Sequence, residues 1–181
     1  MAFPVFLDTC AMYGGALNDV FLELAENGAF RPLWSAHVLE ELETNLALRL
    51  GAPAAHSRVQ TMRNAFPDAE VLGYEHLIEA MTCDRKDRHV VAAAVRADAQ
   101  VIVTFNLKDF PPDSVQPYDI DVIHPDDFLL DQLDLYPSLT LRVIEDISGA
   151  YEKPAMTANE LLELLRKAGV PKFATATSAR I

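Results

Sequence analysis

The run VIVTFN (101–106) constrains this chain more than any other stretch. It is apolar and β-branched at consecutive positions rather than alternate ones. Such a strand is buried on both faces, and strands of that kind belong to parallel sheets covered by helices. PVFL (4–7) reads as a second short buried strand. FRPLWS (30–35) and AEVLG (69–73) read as extended pieces, and IDVIHP (120–125) as a further short strand. Helical spacing fills the intervals. LNDVFLELAENG (17–28) carries Val20, Phe21, Leu24 and Ala25 on one side, with Gly28 as its stop. Ser35 is placed to cap a helix over 36–50, whose stripe is Val38, Leu39, Leu42, Leu46 and Leu50. A third helix is expected over 54–65, and DRHVVAAAVRADA (87–99) is a fourth, rich in small residues. Strands alternating with helices predict an α/β layer fold with a mostly parallel central sheet.

The remainder is helical in pattern. TANELLELLRKAG opens on a capping box, Thr157 with Glu160, and stops at Gly169 and Pro171. EKPAMT (152–157) reads as a hinge between helices. The expected division is a main domain over residues 1–130 and a helical extension over 131–181 packed on it.

Charge and composition exclude several classes. No apolar run approaches the roughly 20 residues of a membrane span. The start of the chain has neither the basic region nor the apolar segment of a signal peptide. Cys10 and Cys83 suit neither a disulfide scaffold nor a zinc site, so a reducing cytoplasm is the expected location. A net charge of −12 argues against a protein that coats nucleic acid with a basic face. Positive residues nevertheless bunch in CDRKDRH (83–89), so the total hides a locally basic segment.

The acids fall in a suggestive order. Asp8 ends the first strand, and Asn106 ends VIVTF with Asp109 one turn on. Sites in parallel sheets form at these strand ends. Glu41 lies at the border of the stripe of its helix, and Asp87 leads the small-residue helix. Each has a bland alternative: a turn or cap for Asp8, a solvated helix face for Glu41, and N-cap and N3 positions for Asp84 and Asp87. Several carboxylates converging on one pocket cannot all stay ionised without compensation, and oxygen-only ligands favour Mg2+ or Mn2+. Thr9 and Thr104 lie near the strand ends. Arg85, Lys86, Arg88 and Lys108 flank the acids and are candidates for holding a phosphate backbone. His89 and Trp34 are expected to pack rather than to catalyse or stack on bases.

The stretches VFLDTCAMYG, RPLWSAHVLEELETNL, DRKDRHVVAAAVRADAQVIVTFNLKDFP and IHPDDFL together resemble the PIN-domain ribonucleases, in particular VapC-type toxins. The resemblance spans roughly residues 4–130 and implies a PIN-like three-layer domain. It carries the family's acids onto Asp8, Glu41 and Asp87, and its last position onto either Asn106 or Asp109. Asp84 stands where relatives often have a further acid, and DRKD departs from a more usual proline and acid at Arg85 and Lys86. The implied activity is Mg2+- or Mn2+-dependent hydrolysis of RNA phosphodiesters, with Asp8 and Asp87 as metal ligands. Also implied are a cognate antitoxin protein, as in a type II toxin–antitoxin pair, and a homodimer. Three alternatives stand beside it: a DNA or flap nuclease on the same fold, a catalytically silent binding module, and an aspartyl-phosphate enzyme. The last would carry a second Asp two residues after Asp8, where this chain has Cys10.

Overall fold

The computed structural model describes residues 2–152 and 154–181, so Lys153, inside the expected hinge, lies outside the described residues. Five strands form one all-parallel sheet: β1 (Pro4–Leu7), β2 (Arg31–Ser35), β3 (Glu70–Val71), β4 (Val101–Val103) and β5 (Asp121–Ile123). Their order is β3-β2-β1-β4-β5. From the central β1 the chain therefore builds outward to β3, then returns to the other side of β1 for β4 and β5. Val5 pairs with Pro32 on one side and Val101 on the other. The point where strand order reverses lies between β1 and β4, and that is where a parallel sheet opens a crevice beyond its strand ends.

Local signals explain most element boundaries. Ser35 Oγ accepts from Val38 N at 3.2 Å and starts α3 (Ala36–Leu50). Val38, Leu39, Leu42 and Leu46 are buried as the stripe requires, but Leu50 at the end of the helix is exposed. Gly51, at φ 84°, turns the chain directly into α4 (Ala52–Ala65). β4 is three residues rather than six, the chain leaving the sheet once Thr104 N has donated to Ile123 O at 3.1 Å. Trp34 is fully buried, edge-on to Phe66 with ring centroids 5.9 Å apart.

Two compact units emerge, and they interleave along the chain. One holds the stretch up to Tyr13 and Arg31–Ile123: the sheet, α1 (Thr9–Met12), α3, α4, α5 (Arg88–Arg96) and α6 (Pro112–Val115). The other holds Gly14–Phe30 and His124–Ile181. It contains α2 (Gly15–Glu26), α7 (Pro125–Leu135), α8 (Pro137–Ala150), α9 (Ala158–Lys167) and α10 (Pro171–Ser178). Phe21, Phe30 and Phe128 pack there with ring centroids 5.8 and 5.1 Å apart. The capping box of α9 forms as its sequence predicts. In the same unit Asp126 is 2% exposed, and its two oxygens accept from Lys172 N at 3.0 Å and Phe173 N at 2.8 Å at the start of α10. No helix among the described residues is long and apolar enough to cross a membrane.

Candidate active site

The crevice beside β1 and β4 is lined with polar groups. Asp8 follows β1 directly and serves as the N-cap of α1, its Oδ1 accepting from Thr9 N at 2.8 Å. The capping alternative therefore holds, but it engages only one oxygen. Oδ2 accepts from Thr104 Oγ1 at 2.7 Å and from the Cys10 thiol at 3.2 Å. Burial, and then the charge of Asp8, push the Cys10 thiol up to about 12, so it stays protonated and donates. Asp8 is thus clamped from three directions while 9% exposed.

Glu41 sits on α3, with Oε2 accepting from Thr9 Oγ1 at 2.7 Å. Its Oε1 faces His89 Nε2 at 3.6 Å and His37 Nε2 at 3.8 Å. The nearby His89 imidazole is the main cause holding this carboxyl below its usual value; Thr9 adds to it and burial opposes it. The hydroxyl of Thr9 is accordingly committed to a carboxylate. So is that of Thr104, which also accepts from Asn106 N at 3.0 Å.

Asp87 leads its helix as expected, and the bland alternative of Asp84 as cap with Asp87 as third helical residue does not hold. α5 begins only at Arg88, so Asp87 is the N-cap residue, yet its side chain makes no capping bond. Asp84 lies upstream in a turn, where Oδ1 accepts from Lys86 N at 3.1 Å. Asp87 Oδ2 is buried with no hydrogen-bond partner among the described residues, and Lys86 Nζ stands 3.8 Å away. Burial raises the Asp87 carboxyl to about 6, Lys86 opposes the rise, and Asp109, Asp8 and Asp84 add to it.

A cavity of about 580 Å3 collects these groups: Asp8, Thr9, Cys10, Tyr13, Glu41, Asn45, Leu48, Asp87 and Asn106 line it. Of the two sequence candidates after β4, Asn106 reaches the cavity wall. Asp109 instead meets Lys86 Nζ at 3.5 Å. Arg88 turns away: its Nε donates to Cys83 O at 3.3 Å, and its Nη1 lies 3.9 Å from Glu79. Arg85 and Lys108 are exposed and do not line the cavity. Sequence reasoning passed over Asn45, although it stands four residues after Glu41 and so shares its helix face. It also passed over Tyr13, whose ring lies under the Arg49 guanidinium at 4.8 Å.

An all-parallel sheet with an acid-lined crevice at its switch point puts this cavity where ligands of parallel α/β sheets bind. The PIN domain family matches residues 4–108, and the VapC50 C-terminal domain family matches residues 125–178. The chain belongs to the PIN-domain family. It is 50% identical over 126 residues to the protein named "Putative ribonuclease VapC50" of Mycobacterium tuberculosis (strain ATCC 25618 / H37Rv), a match covering 70% of this chain and 73% of that one. No solved structure matches significantly.

Proposed function

We propose that this protein is a divalent-metal-dependent endoribonuclease, the toxin of a type II toxin–antitoxin pair. The observation that carries the reading is one cavity bringing together Asp8, Glu41, Asp87 and Asn106, with the buried Asp87 Oδ2 lacking a hydrogen-bond partner among the described residues. A buried carboxylate oxygen with no hydrogen bond, beside other acids, fits a hard divalent cation, and the donors at hand are oxygens. Asp8 and Asp87 would hold it, and Mg2+ or Mn2+ suits them. When bound, such an ion polarises a phosphate oxygen and acidifies a water.

The chain's own groups do the remaining work. Thr104, Cys10 and Thr9 N fix the Asp8 carboxylate so that its orientation survives substrate entry. Thr9 holds Glu41 against the same cavity, where its carboxylate can orient or accept a proton from the attacking water. Asn106 offers an amide beside the acids without adding a like charge. Lys86, exposed and next to Asp87 and Asp109, supplies the positive charge nearest the acids and is suited to the departing or entering phosphate. Hydrolysis leaves a 5′-phosphate and a 3′-hydroxyl. A cognate antitoxin protein, a homodimer and a cytoplasmic location belong to the same reading.

The test is cleavage of labelled RNA and DNA by purified protein with Mg2+ or Mn2+, with a chelator control and an Asp87→Asn preparation beside it. Metal-dependent RNA cutting lost in the variant is the expected result. Preferential DNA cutting would favour the DNA or flap nuclease. Equal activity in both preparations would overturn the assignment of the acids, and two folded but inert preparations would leave a binding module.

A further inference from the structure

Glu41 faces two ways. Its Oε2 is bound within the acid cavity, while its Oε1 points to a pair of imidazoles that the proposed reaction does not use. His37 and Glu41 are four residues apart on α3, the spacing at which two helix side chains can share one ion. His89 comes from the first turn of α5. One ligand atom from each of the three lies within 4.8 Å of the others.

The distances are close to those of a nitrogen–oxygen metal site. With metal–ligand bonds of about 2.0–2.1 Å, the edge of a tetrahedron is about 3.3 Å. Glu41 Oε1 stands 3.6 Å from one Nε2 and 3.8 Å from the other. His89 is 4% exposed, its Nδ1 has no hydrogen-bond partner among the described residues, and its Nε2 faces Glu41. The two rings stack with centroids 3.8 Å apart and planes 13° from parallel. Parallel rings cannot aim both lone pairs at one ion. The His37 side chain, however, is 51% exposed, with the His89 ring on one face, so it can rotate on its open side to meet a cation held by His89 and Glu41. Its exposure also leaves the fourth position to water.

The geometry points to a second metal site at His37, Glu41 and His89, selective for a borderline transition ion of the Zn2+ class, which slows the nuclease by drawing Glu41 away from the acid cavity. Two imidazoles and one carboxylate suit such an ion. Mg2+, which wants octahedral oxygen ligands, is poorly served there. The two sites thus sort metals by ligand chemistry, with Glu41 standing at the border between them. Binding stands apart from the ribonuclease reading; only the effect on cleavage rests on it.

The probe is Co2+, whose tetrahedral nitrogen-ligated form absorbs strongly in the visible. Titrated into the metal-free full-length protein, it should give a saturable band that Zn2+ displaces. His37→Ala should keep the native circular-dichroism spectrum and weaken binding at least about tenfold, since even an outer ligand partner is worth 10- to 100-fold. His37→Cys should restore binding and add a near-ultraviolet sulfur-to-cobalt band, which only ligation at this position produces. No band in the folded wild-type protein overturns the site, as does an unchanged band in His37→Ala. Zn2+ added to the Mg2+-supported reaction should slow RNA cleavage in the wild type and require at least about tenfold more metal in His37→Ala. Binding without inhibition overturns the control of activity, whereas a protein that binds Co2+ yet cuts no RNA under any condition fails the nuclease reading alone.

Discussion

Asp126 and Asp87 are both largely withdrawn from water, and they are held in opposite ways. Asp126, in the helical unit, accepts two backbone N–H groups at the start of α10 and needs nothing more. Asp87, in the sheet unit, has a buried oxygen with no hydrogen-bond partner and a carboxyl pushed up to about 6. A carboxylate satisfied by backbone donors joins helices together. One left unsatisfied among like charges costs stability, and its place in a cavity with Asp8 and Glu41 gives that cost a use.

The largest expected effect separates the two directly. Asp87→Asn should lower RNA cleavage by about a thousandfold, the scale of losing several kcal/mol of transition-state stabilisation. The same change should make the metal-free protein more stable near neutral pH. The gain is about 1 kcal/mol once solvent screening is allowed for, raising the Tm by roughly 2–4 °C. Asp126→Ala should do the reverse, costing about 3 kcal/mol in urea unfolding, because two charge-assisted hydrogen bonds are lost and two donors at the start of α10 lose their acceptor. If Asp87→Asn destabilised the protein as much as Asp126→Ala, the contrast between the two acids would collapse.

The pH dependence sharpens the same contrast. The folded Asp87 carboxyl lies near 6, above its ordinary value of 3.8. Its contribution to stability is therefore fully present below about pH 3.8 and is lost as pH rises through about 6. Mn2+ affinity, followed by the electron paramagnetic resonance signal of the free ion, should run the other way and fall as pH drops through that window, since the ligand must be ionised. Asp87→Asn should flatten both profiles. A smaller effect is expected at Thr104, whose hydroxyl orients Asp8. Thr104→Val should reduce metal affinity about tenfold while the folded spectrum is kept. The smallest is Lys86→Ala, a change at an exposed side chain. It should raise KM for RNA only a few-fold and lessen its salt dependence, with kcat nearly unchanged.

Much of the fold was legible because period and punctuation are local. The consecutive apolar residues of β4, the stripe of α3 behind Ser35 and the capping box of α9 depend on neighbours within a few positions. The acid types were legible too, since strand ends and helix starts can be located from the same patterns. Asp84 and Asp87 both suit a helix start by residue type, and the structure settles the start of α5 at Asp87, with Asp84 in the preceding turn around Lys86 N.

What the sequence determined alone was the succession of strands and helices, and with it a mostly parallel sheet; the strand order, and so the switch point between β1 and β4, came from the tertiary structure. What tertiary structure decided was the partner of each side chain. Asn106 and Asp109 stand three residues apart, and nothing local says which meets Asp8's cavity and which meets Lys86. His37 and His89 are distant in sequence and meet only because α3 and α5 bring their first turns together over Glu41. Periodicity along one chain fixes which face a residue occupies; the packing of faces, a balance among many long-range contacts, fixes what it touches.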